Sequence, residues 1–115
     1  MAAGTRVAGR VRLAPGPAAR AATAYVRVDD VSRADAPSAT LAEARVQVPA
    51  GAAGFPFELR VEGHDPRGMY ALSVHVDVDG DGEAGVGDFI TMQRYPVLAG
   101  SDAEPMTVEA RRIEG

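Results

Sequence analysis

The chain has no cysteine among its 115 residues. That absence removes a disulfide framework, a thiolate metal site, a cysteine nucleophile and a lipidation site, and it leaves the redox compartment open. Lysine is missing too, so all 12 basic residues are arginine; set against 16 acidic residues they leave a formal net charge of −4 and a pI near 5.1. Nucleic-acid binding through phosphate neutralisation is disfavoured by that balance. Tryptophan is absent and aromatics make up 5%, so the core must come largely from Val, Leu and Ala, and a carbohydrate-binding module would have few stacking platforms. No charge-free run approaches the roughly 20 residues of a membrane helix. Arg6, Arg10 and Arg12 interrupt any apolar run at the start of the chain, and neither a secretory signal nor a membrane span is read from it. Ser32, Ser38, Ser73 and Ser101 lie outside any Gly-x-Ser-x-Gly elbow, and with no cysteine the usual nucleophile arrangements are gone. No enzyme is expected.

What is present suits one globular domain over residues 1–115, with 46% hydrophobic and 24% charged residues. Apolar residues recur at every second position in short runs bounded by Gly and Pro, the period of half-buried strands. Val7, Val11 and Leu13 oppose Arg6, Arg10 and Arg12; Ala24, Val26 and Val28 oppose Tyr25, Arg27 and Asp29. After a turn-rich connection at 32–37, Ala42, Ala44, Val46 and Val48 form a third face. Phe55, Phe57, Leu59 and Val61 form a fourth, with Pro56 suiting an edge strand. Tyr70, Leu72, Val74 and Val76 line the strongest strand, Phe89–Leu98 resumes an extended pattern, and Met106, Val108 and Ala110 carry the last. By parity His75 faces away from its strand's apolar side and is expected to be exposed. His64 sits in a turn, and neither histidine is assigned a role. The expected fold is an all-β, antiparallel β-sandwich of about seven strands, immunoglobulin-like or transthyretin-like in size.

One loop carries chemistry. From Asp77 to Asp88 acidic residues stand at loop positions 1, 3, 5 and 12, and Gly82 stands at position 6. This is an EF-hand-like calcium pattern with Asp in place of the usual final Glu. A hard cation of this size takes six to eight oxygens, and alternate carboxylates on a curling backbone converge on one centre. On that pattern Asp77, Asp79, Asp81 and Asp88 supply side-chain oxygens, Glu83 its backbone carbonyl, and Gly85 a contact through water. The flanks have strand periods, so a bound Ca²⁺ would be structural and not a switch that opens a helix pair. An Asp/Gly hairpin turn is the plainer alternative.

The run Asp30-Val31-Ser32-Arg33-Ala34-Asp35-Ala36-Pro37 followed by Leu41-Ala42-Glu43, then Phe55-Pro56-Phe57-Glu58-Leu59, Tyr70 and Tyr95-Pro96-Val97-Leu98, resembles the YbaY/YscW-type family over residues 7–112. That family comprises small β-sandwich outer-membrane lipoproteins and type III secretion pilotins. The resemblance implies a β-sandwich at the cell envelope; pilotins in the family assist an outer-membrane secretin and are anchored through a lipidated N-terminal cysteine, which this chain lacks. Two functions follow as expectations: a non-enzymatic domain with a structural Ca²⁺ in the 77–88 loop, or a pilotin-like module that recognises a protein partner segment by pairing at an open sheet edge. Phe55–Val61 and the N-terminal strand are the edges expected to do so.

Overall fold

The computed structural model describes residues 4–32, 39–98 and 106–114. Eight strands form: β1 (Thr5–Ala14), β2 (Ala22–Asp30), β3 (Ala39–Val48), β4 (Gly54–Val61), β5 (Tyr70–Asp77), β6 (Phe89–Thr91), β7 (Tyr95–Val97) and β8 (Met106–Arg112). The period-2 pattern accounts for them. Val7, Val11 and Leu13 of β1, Ala24, Val26 and Val28 of β2, the odd-numbered residues of β4 from Phe55 to Val61, and Leu72, Val74 and Val76 of β5 are all buried, while the residues between them are not. Burying each Val or Leu is worth roughly 1.5–3 kcal/mol relative to exposure. With few aromatics available, Phe89 is the largest fully buried side chain. The turn expected at 32–37 lies, from residue 33 onward, outside the described residues.

The strands make one sheet in the order β3-β2-β5-β6-β8-β1-β4, with β7 pairing β5 off that path. Its two ends, β3 and β4, are joined by the loop at 49–53 and lie alongside each other without a hydrogen-bonded ladder. The result is a flattened, nearly closed barrel around a single core. The all-β reading holds. Pairing is antiparallel throughout except between β1 and β8, which run parallel with Val11 opposite Val108.

The extended stretch expected at Phe89–Leu98 is two strands, not one. Both β6 and β7 run antiparallel to β5, but the register advances by two residues between Ile90, opposite His75, and Tyr95, opposite Leu72. The extra residues bulge out around Met92, which is exposed. At the break Thr91 Oγ1 accepts the Val74 N–H at 3.2 Å, so a side chain takes over where the backbone ladder lapses. That substitution is invisible to periodicity.

The N-terminal strand is not an edge. β1 is paired on one side by β4 and on the other by β8, and among the described residues β3 and β4 are the two ends of the sheet's path. Pro56 does stand on an edge, where a missing N–H is tolerated. Gly9 is required by the parallel pairing: a Cβ there would lie 2.0 Å from the Met106 carbonyl oxygen. Gly9→Ala is therefore expected to cost about 1–3 kcal/mol in urea unfolding, the scale of overpacking. Gly16→Ala, with open space around its Cα, should change stability by less than about 0.5 kcal/mol.

Candidate functional site

Residues 77–88 link the end of β5 to the start of β6, two adjacent antiparallel strands with Val76 opposite Phe89. Strand pairing therefore brings the two ends of the loop together, and both Asp77 and Asp88 are buried. The loop winds around their carboxylates. Asp77 accepts the Gly80 N–H at 3.1 Å through Oδ1 and the Gly82 N–H at 2.9 Å through Oδ2. Asp79 accepts the Asp81 N–H at 3.3 Å, and Asp81 accepts the Glu83 N–H at 2.9 Å. Gly82 has φ 79°, the left-handed conformation that its place in the turn demands. One carboxylate oxygen each from Asp77, Asp79, Asp81 and Asp88 lies within 4.8 Å of the others. The Glu83 carboxylate is exposed and stands outside this group; its expected contribution was the backbone carbonyl.

Asp88 has a second occupation. Its carboxylate is fully buried and accepts the Val78 N–H at 2.9 Å on Oδ1 and the Gly85 N–H at 3.3 Å on Oδ2; His75 Nε2 lies 3.0 Å from the same Oδ2. Burial by itself would push this carboxyl up, but the hydrogen bonds from His75, Val78 and Gly85 outweigh it and hold the pKa below the ordinary 3.8.

The expectation that His75 is exposed is corrected here. It does face away from Leu72, Val74 and Val76, yet its side chain is only 14% exposed. Tyr25, opposite it on β2, stacks at 6.1 Å between ring centroids, and Asp88 closes over its other end. His75, Asp77 and Asp88 also form a convergent group in their own right. Parity gave the direction of the side chain, but the outer cover comes from a neighbouring strand and a loop that periodicity does not locate.

The second feature lies at the seam where the sheet fails to close. A cleft of about 590 Å³ opens between β3 and the β4-β1-β8 side. Phe57, Gly9, Ala44, Val46 and Met106 are its buried or half-buried lining, and Arg6, Arg10, Arg45, Glu58 and Thr107 its exposed rim. Arg6 pairs with Glu58. No sequence signal pointed to the cleft beyond Pro56, which marks β4 as an edge.

Asp88 holds the loop closed through hydrogen bonds to His75, Val78 and Gly85. Asp88→Ala should therefore destabilise the protein by about 2–4 kcal/mol in chelator, because it orphans His75 and two backbone N–H groups. The depressed pKa has a definite sign: the stabilisation is complete above the ordinary 3.8 and is lost as pH falls through the lower folded value. Thermal melts from pH 7 to pH 2 should show this acid limb, and it should be shallower in Asp88→Asn.

The family described as type III secretion system lipoprotein chaperone (YscW) matches residues 2–109. A solved structure of an alternative pilotin from the type II secretion system of Vibrio cholerae superimposes with a TM-score of 0.77 at 21% identity, covering 96% of this chain and 98% of that one. At that identity the likeness is one of fold. No protein with a curated description matches by sequence. Among the described residues no helix is long and apolar enough to cross a membrane. The matched family is one of chaperones and not of catalysts, which agrees with the non-enzymatic reading, and a lipoprotein family points to the cell envelope. With nearly its whole length matched, the chain belongs to the YscW family.

Proposed function

We propose that the protein is a non-enzymatic binding module of the cell envelope that recognises an extended segment of a partner protein at the seam between β3 and β4. The observation that carries this reading is the cleft itself, which has an apolar floor and is flanked by two strand edges that have no ladder partner among the described residues. Unpaired backbone groups on an edge strand are a template for a further strand, and side-chain pockets beside them give selectivity. Membership of a secretion chaperone family and the fold shared with a pilotin both favour a protein partner. The test is amide exchange of the free protein and of the protein mixed with overlapping peptides spanning an outer-membrane secretin. Amides of β4 and β3 should gain protection while those of β1, paired on both sides, stay unchanged. If no peptide alters exchange at either edge, the reading falls.

A second reading concerns a divalent cation, favoured by the convergence of four carboxylate oxygens within 4.8 Å. The donors are all hard oxygens, which suits Ca²⁺, and Mg²⁺ would be disfavoured by its demand for near-ideal octahedral geometry. Asp77, Asp79, Asp81 and Asp88 would hold the ion through side chains, Glu83 through its carbonyl and Gly85 through water. The ion would make the loop rigid, and it has no part in the seam. Binding to the folded state alone adds about 2.7 kcal/mol at a hundredfold excess over Kd, so the melting temperature should rise with calcium. Asp79 and Asp81 each accept one N–H in the exposed part of the loop. Asp79→Ala and Asp81→Ala should therefore weaken binding yet leave the metal-free protein as stable as before, unlike Asp88→Ala. Identical melting curves in chelator and in millimolar Ca²⁺, with no heat on titration, would leave the loop a self-contained acidic turn.

A further inference from the structure

Resting on the seam reading above, we propose that the segment the cleft accepts is acidic as well as apolar: an extended partner strand whose alternate carboxylates bridge Arg10 and Arg45. The outward row of β1 carries Arg6, Arg10 and Arg12. Arg6 pairs with Glu58 on β4, and Arg12 pairs with Glu109, which lies directly across on β8 at 2.6 Å. Arg10 has no such partner among the described residues. Its neighbours in register are Pro56 on β4 and Thr107 on β8, neither of which can offer a carboxylate. Among the described residues, the one cation of the row without a counter-charge lines the cleft.

Arg45 answers it from β3. Its side chain is 71% exposed and lies over the Tyr25 ring at 5.5 Å, and its nearest carboxylate, Glu43, is 3.8 Å away and also bonded to Arg27. Stacking on Tyr25 holds the guanidinium in place, and its approach to Glu43 is a long one through Nε. Among the described residues Glu58 is the single acidic side chain lining the cleft, and Arg6 pairs with it. The seam is thus locally basic on a chain of net charge −4. A second strand would be needed to supply what the cleft lacks. Successive side chains of an extended segment point to opposite faces, so apolar residues would settle on Phe57, Val46 and Met106 while the residues between them meet the two guanidinium groups.

The experiment uses three capped octapeptides, alternating valine with glutamate, glutamine or lysine, titrated into the whole protein with amide exchange and anisotropy as readouts. The glutamate peptide should protect β3 and β4 and bind about tenfold more tightly than the glutamine peptide at low salt, with the gap closing at 1 M salt. Arg10→Gln and Arg45→Gln should each weaken the glutamate peptide about threefold and leave the glutamine peptide unchanged. Arg12→Gln, outside the cleft, should do neither. Equal binding of the glutamate and glutamine peptides, with β3 and β4 still protected, would overturn the acidic inference and leave the seam reading intact. Failure of every peptide to protect either edge would overturn both.

Discussion

The sheet holds together across three residues. Phe89–Thr91, as β6, is the strand that joins the β3-β2-β5 half to the β8-β1-β4 half. So short a strand makes little ladder of its own, and the surrounding contacts fix it. Phe89 is fully buried in the core, and Thr91 spends its hydroxyl on the Val74 N–H. Just before it, Asp88 is held by His75, and its backbone exchanges bonds with the end of β8: Ile113 N–H to the Asp88 carbonyl at 2.8 Å and Gly87 N–H to the Ile113 carbonyl at 3.0 Å. The acidic loop is therefore the lead-in to the strand that makes the two halves one sheet. A carboxylate buried there stabilises the fold, because its hydrogen bonds offset the cost of burial.

This explains why the two candidate features of the molecule are of different kinds. The loop is closed, with every carboxylate of its cluster already engaged by backbone N–H groups of the loop itself. The seam is open: among the described residues its strand edges are unpaired and one guanidinium is unmatched. Where the chain satisfies its own polar groups it is building structure. Where it leaves strand edges and a guanidinium to solvent beside an apolar-lined cleft, the groups that the proposed partner would engage are available. Membership of a lipoprotein chaperone family is in keeping with the protein partner proposed for the seam.

Much of this was legible in the sequence. Alternation located the strands because side-chain direction in a strand is local, set by a period of two residues. The spacing of Asp77, Asp79, Asp81 and Asp88 foretold that they would lie near one another, since a twelve-residue loop between paired strands brings its ends together. The resemblance carried by Asp30–Pro37, Phe55–Leu59 and Tyr95–Leu98 reached the family. Where the reading failed, a non-local contact had decided the matter. Phe89–Leu98 splits because Thr91 replaces a backbone partner on β5, and His75 is covered because Tyr25 and Asp88 arrive from elsewhere.

The sequence by itself determined which residues face inward, that the protein is all-β, and that acidic residues at alternate positions mark the 77–88 loop. These are properties of neighbours along the chain, fixed by backbone stereochemistry and burial. Only the tertiary structure decided which strands pair, and with that which edges stay open. β1 reads as a plausible edge until β8 is found beside it, running parallel. Arg10 reads as one more solvated arginine until Pro56 and Thr107 prove to be its neighbours. A missing counter-charge is a property of three strands at once, and strand order, set by long-range packing, is what brings those three together.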